Sequence, residues 1–174
     1  MSKTIAKPVE GDYAPYTIAY ISLVPEDGLV LKHLEDNLQV MIDLVRSIPE
    51  DKLAWSFAEG EWTVKEILGH VIDTERVFGY RALRIARHDT TPLPGFEQDD
   101  YVPYSRANER SLDEILDEYA AVRRATLTLF HSFDDSAYPR AGTTSGNRTT
   151  VQALAYIITG HELHHLNSIR ENYA

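Results

Sequence analysis

Apolar residues recur every three or four positions in four long stretches of this chain, and that spacing predicts four amphipathic helices. In the first, running from about Glu26 to just before Pro49, Leu31, Leu34, Leu38, Met41 or Ile42 and Val45 fall on one face, with Glu35, Asp36 and Asn37 between them. The second starts near Thr63, where Thr63 and Glu66 have the capping-box spacing, and continues through Val64, Ile67, Leu68, Val71, Ile72, Phe78, Ala82 and Ile85 to about Arg87. Pro92 and Pro94 forbid its continuation. A second box, Ser111 with Glu114, opens the third helix, which carries Ile115, Leu116, Tyr119, Val122, Thr126, Leu129 and Phe130. The fourth opens at Thr149-Thr150-Val151-Gln152, read as a third box, and runs through Leu154, Ile157, Ile158 and Ile169 almost to the end of the chain. No run alternates as a strand would, so the expected fold is all-α, a four-helix bundle over residues 25–174. Residues 1–24, with Pro8, Gly11, Pro15 and three tyrosines, predict an extended arm packed on it. Two connections are long: about 22 residues between the second and third helices, and about 18 rich in Gly, Ser and Thr between the third and fourth.

Composition narrows the chemistry. With 27 acidic and 17 basic side chains the net charge is −10, which disfavours nucleic acid as a partner. No apolar run approaches the roughly 18 residues of a membrane span, and the N-terminus lacks the apolar core of a signal peptide, so a soluble cytoplasmic protein without a membrane partner is expected. There is no cysteine, so any metal must be held by His, Asp or Glu, and any thiol chemistry needs an external thiol.

Seven histidines are available, and two stand out. With His161 set to zero and about 100° per residue, Leu154 falls near 20°, Ile158 near 60°, His165 near 40° and Ile169 near 80°, placing both His161 and His165 inside the apolar stripe of the fourth helix. Two imidazoles one turn apart on a buried face are costly unless their nitrogens find partners, and a divalent ion satisfies both. His70, beside Ile67 and Val71, is the best third ligand, whereas His33, His88 and His131 fit polar edges and His164 lies about 60° off the His161 face. Three histidines would leave open coordination positions, the pattern of a catalytic site.

The run Gly60-Glu61-Trp62-Thr63-Val64-Lys65-Glu66-Ile67-Leu68-Gly69-His70, followed by Gly160-His161-Glu162-Leu163-His164-His165-Leu166, closely resembles the DinB-like (YfiT-like) superfamily of proposed metal-dependent hydrolases, over nearly the whole chain from about Leu29 to Tyr173. The resemblance implies a four-helix bundle with a mononuclear three-histidine site at His70, His161 and His165, and a divalent metal (Zn, Ni, Mn or Fe). It also implies hydrolysis of a small molecule or, as in the family's thiol S-transferases, transfer of an external low-molecular-weight thiol. The rival reading is a non-catalytic metal-binding or stress-associated bundle. His161–His165 also fits the H-E-x-x-H pattern of zinc proteases, in which Glu162 would be the base, but the further metzincin ligand position is Glu171 and too few residues follow for a distant ligand. Glu162 is the leading acid or base candidate, with Glu75, Asp73, Glu97, Asp99 and Asp100 behind it, while Arg81 and Arg84 could steer an anion. The loop Leu93–Asn108 is expected to wall the substrate pocket through Phe96 and Tyr101; the same rings could instead seal the bundle's side or a homodimer contact.

Overall fold

The computed structural model describes residues 3–174; the first two residues of the N-terminal arm lie outside it. Four long helices dominate: α2 (Val30–Ser47), α3 (Val64–Ala86), α5 (Leu112–His131) and α6 (Val151–Asn172). Their starts are set by local chemistry. Thr63 and Ser111 each accept from the backbone N–H three residues on, while Glu66 and Glu114 return to the cap N–H, so both expected boxes form. The third box does not. Thr150, not Thr149, caps α6, accepting from Ala153 N–H. Thr149 instead shares a hydroxyl hydrogen bond with Thr144, and the Gln152 side chain turns toward Asp12.

Helix α3 packs on α5 and α6, and α2 packs on the same two. The order around the bundle is therefore α2, α5, α3, α6, with the sequential pairs α2/α3 and α5/α6 on the diagonals. Long connections are what such diagonals require. Two apolar clusters fill the interior: one around Leu34, Phe130, Leu154 and Ile158, the other around Met41, Leu68, Ile72, Ile115 and Leu166.

The expectation of no strand is corrected by a small antiparallel hairpin, β1 (Ala141–Thr144) and β2 (Asn147–Thr150), in the connection before α6. Ser145 and Gly146 form its two-residue turn, both at positive φ (48° and 77°), the backbone that the twist of a tight hairpin favours. Ser-Gly between threonine-rich runs was the legible signal. The α3–α5 connection is not a bare loop either. Leu93 forms a bridge to Thr144, and the short helix α4 (Gln98–Ser105) folds back on α3, where a Cβ at Gly69 would lie 3.6 Å from that of Ala107.

The N-terminal arm is extended only in part. A 3-10 turn (Pro15–Thr17) leads into the short helix α1 (Ile18–Ile21), which packs on α6. Contact is close at Gly160, where any Cβ would collide with the Tyr20 carbonyl. The arm is thereby seated directly over the segment that carries His161.

Candidate metal centre

His70 projects from α3, and His161 and His165 project from α6, the two helices packed side by side. Their Nε2 atoms converge: His70 lies 2.9 Å and His165 3.1 Å from His161 Nε2. Each neutral imidazole has one N–H and one in-plane lone pair, so the central nitrogen can satisfy only one of its two neighbours. The mutual contacts thus leave the trio incomplete. One ion bound about 2.1 Å from each nitrogen would separate them by about 3.4 Å at tetrahedral angles, a few tenths of an ångström wider than the contacts seen, and would use all three lone pairs. The donor set fits a divalent metal, and these three are the group of metal-ligating side chains gathered among the described residues.

Electrostatics agree with this geometry. Burial holds His70 down to about 4, against a partial upward pull from Asp99. Burial, reinforced by the His70 and His164 charges, holds His165 down to about 3, and the same causes keep His161 well below the ordinary imidazole range. All three are therefore neutral at pH 7, the form that ligates metal. Thr74 Oγ1, one turn beyond His70, lies 3.4 Å from its Nδ1 and can accept its N–H, leaving Nε2 for the ion. The Trp62 ring packs on His70 at 4.8 Å, and the edge of Tyr20 meets His161 at 5.3 Å.

Residues 33–169 match the family described as the DinB superfamily. The chain belongs to the DinB superfamily. A protein of Oceanobacillus iheyensis named "Putative metal-dependent hydrolase" is 26% identical to it over 72 residues, which are 41% of each chain; the match thus spans about two fifths of that relative. Among solved structures, YfiT from Bacillus subtilis, described as a probable metal-dependent hydrolase with an unusual four-helix bundle topology, superposes with a TM-score of 0.71 over 96% of this chain and 91% of YfiT, at 15% identity. That likeness carries the fold, and in this DinB chain the helices follow the order α2, α5, α3, α6 around the bundle.

The other expected site residues divide. Glu162 does not join the histidines. One step of about 100° along α6 turns its carboxylate toward Arg123 (2.5 Å to Nη2) and the Tyr119 hydroxyl, with Arg123 also held by Glu75 at 2.9 Å. Burial and the neighbouring Glu75 charge push Glu162 well above the usual carboxylate range. With its carboxylate tied there, the zinc-protease arrangement is lost. Phe96 lies on the wall of a cavity of about 120 Å³ that reaches His161 and also touches Tyr20, Thr74, Phe78 and Arg81. Tyr101 packs on Phe96 at 5.5 Å but stays 46% exposed and supports the wall from outside. Asp99 and His165 line a second, open pocket of about 290 Å³ with Phe57, Trp62, His164 and Tyr173. His164 is exposed at its rim, as its helical angle predicted, and His33, His88 and His131 lie away from the centre, His33 pairing with Asp27. Sequence reasoning missed Tyr20; Gly160 inside an apolar helix, just before His161, was the signal that another backbone comes close. No helix among the described residues is long and apolar enough to cross a membrane.

Proposed function

We propose that this protein is a metal-dependent hydrolase of a small molecule, with His70, His161 and His165 as the ligands and Asp99 as the general base. The observation that supports it is the open pocket: beside three convergent neutral imidazoles there is room for a reactant, bordered by a carboxylate. An ion held by the three nitrogens supplies Lewis acidity and acidifies water or a thiol that reaches it. Asp99, carried on α4 and close enough for its charge to raise His70, is placed to take a proton from the attacking group. Trp62, Phe57 and Tyr173 offer ring faces to the apolar part of a reactant, and Thr74 fixes the His70 ring. Transfer of an external thiol uses the same parts, since the chain has no thiol of its own and Asp99 would deprotonate either nucleophile. A non-catalytic site would not need the pocket.

The test is metal analysis of untagged protein, followed by assays of small esters, amides and halides with and without a low-molecular-weight thiol. One equivalent of metal is expected, with turnover abolished by a chelator. Asp99→Asn is expected to lower turnover by about 10²–10⁴-fold at unchanged metal content. Protein carrying no metal after exposure to Zn, Ni, Mn and Fe salts would refute the reading.

A further inference from the structure

Twelve arginines are present, and most have a carboxylate close by. Four lack one within 4.0 Å among the described residues, and three of those, Arg87, Arg124 and Arg170, are exposed to water, which needs no explanation. The fourth, Arg81, is only 4% exposed. A buried cation without a counter-charge is costly, and the fold elsewhere avoids it: Arg123, equally buried, is held between Glu75 and Glu162.

The surroundings of Arg81 are built rather than incidental. Its Nη2 donates to the Pro94 carbonyl (2.8 Å) and to Ser145 Oγ (3.1 Å), so the α3–α5 connection and the hairpin turn both anchor it. The rings of Phe78 and Phe96 lie 5.3 and 5.8 Å from the guanidinium carbon. Nε and Nη1 make no hydrogen bond to the described residues, so three of the five guanidinium N–H groups are free. Arg81 borders the cavity of about 120 Å³ that also reaches His161. Arg81 also shares the His70 face of α3: eleven residues on, it is turned by only about 20° and displaced about 16 Å along the axis, with a side chain that leans back toward the N-terminus. The cavity therefore connects a guanidinium with free N–H groups to His161.

We propose that Arg81 is the anion-recognition residue of the site and that the substrate class is small monocarboxylates, the carboxylate docking on the free N–H groups of Arg81 while the rest of the molecule extends toward His161. This rests on the metal-site reading given above, with the substrate entering by the cavity beside His161 and the water or thiol that attacks it entering by the separate pocket that Asp99 and His165 line. A carboxylate is a compact, singly charged acceptor that takes a charge-assisted hydrogen bond from one of these free N–H groups. Single charge follows from the surroundings, because one cation faces the cavity in a molecule of net charge −10, which repels polyanions. Small size follows from a cavity of about 120 Å³.

The test uses butanoate and its uncharged isostere butanamide, titrated into metal-loaded and metal-free protein and followed by nitrogen-edited NMR that resolves the Arg81 side chain. Butanoate is expected to bind about tenfold more tightly than butanamide in both forms and to shift the Arg81 Nε–H resonance. Arg81→Gln is expected to bring the ratio close to one at unchanged metal content, and Arg81→Lys to retain part of it. Should Arg81→Gln fail to fold, the wild-type Arg81 resonance and the Lys variant still decide. Equal binding of the two probes, a preference that survives Arg81→Gln, or a preference confined to the metal-loaded form, which puts the carboxylate on the ion, would each overturn the assignment. Because the metal-free arm does not depend on the ion, selective butanoate binding by a protein that never takes up metal would uphold Arg81 and refute the hydrolase reading alone.

Discussion

Two buried polar clusters lie back to back in this bundle, and adjacent residues of α6 feed them: His161 enters one and Glu162 the other. The Arg123 cluster is nearly complete in itself. One guanidinium is held by two carboxylates, by the Leu34 carbonyl at 2.6 Å and by the Tyr119 hydroxyl at 3.3 Å, and only Glu162 Oε2 and the Asn37 amide nitrogen nearby are left without partners. The histidine cluster is incomplete by construction, with three lone pairs aimed at one point. The first cluster closes on itself and fixes the phase of α6; the second needs a ligand from outside. Burial alone separates neither from the other, since both are deep. What distinguishes them is whether the donors and acceptors inside can balance.

The largest effects should fall on the incomplete cluster. His161→Ala, His165→Ala and His70→Ala are each expected to lose stoichiometric metal binding while far-UV circular dichroism stays helical, because the apolar faces of four helices remain. Metal content unchanged in all three would abolish the contrast. Next comes the self-contained cluster. Arg123→Ala leaves two buried carboxylates without their cation and should cost about 3–5 kcal/mol, on the order of a 10 °C fall in melting temperature for a chain of this size, with metal stoichiometry retained. A variant that keeps its stability but sheds its metal would show that the two clusters have exchanged roles.

Acid separates them in a third way. Free imidazole in the unfolded chain titrates near 6.5, whereas folded, metal-free His70 and His165 are held down to about 4 and about 3. Between those values the unfolded state binds protons that the folded state refuses. This contribution to stability is complete above about 6.5 and is lost as pH falls toward 4 and then 3. Urea midpoints of metal-free protein measured from pH 7 to pH 4 should therefore fall more steeply for wild type than for His70→Ala, in which one such group is absent. Parallel slopes would mean that the imidazoles are not buried in neutral form.

Helix positions, two of three cap motifs and the shared face of His161 and His165 were legible because each follows from a short-range rule. Thr63 and Glu66 are three residues apart, and His161 and His165 share one face of one helix. What stayed hidden depends on contacts between distant segments. The register of the fourth cap slipped by one residue because Thr149 was claimed by Thr144 across the hairpin, a pairing that no local window contains. Glu162 stood beside His161 in the chain, yet the competing partner on α5, Arg123, decided its direction. Tyr20 reaches His161 from 141 positions away, through an arm whose own periodicity carries no sign of a site. The fold-back of the α3–α5 connection was expected from its length and aromatics, but the anchoring of Pro94 by Arg81, which places Phe96, was not.

The smallest expected effect is the sharpest check on the phase of α6. His164 sits directly before a ligand, its ring lies 5.1 Å from that of His165, and it shares the open pocket with it. Adjacency would make it a ligand; helical geometry does not. One residue from His165 is a turn of about 100°, which leaves the His164 side chain in solvent while His165 Nε2 points inward. Its influence on the centre is that of a nearby charge, lowering His70, His161 and His165 when it is protonated. His164→Gln removes that charge and should keep one equivalent of metal, with affinity changed by less than about tenfold, below the 10–100-fold typical of residues that hydrogen-bond a ligand. Competition against a chelator of known affinity measures the difference. Loss of metal as complete as in His161→Ala would mean that α6 is rotated by roughly a quarter-turn in solution, and Glu162 would then have to leave Arg123 as well.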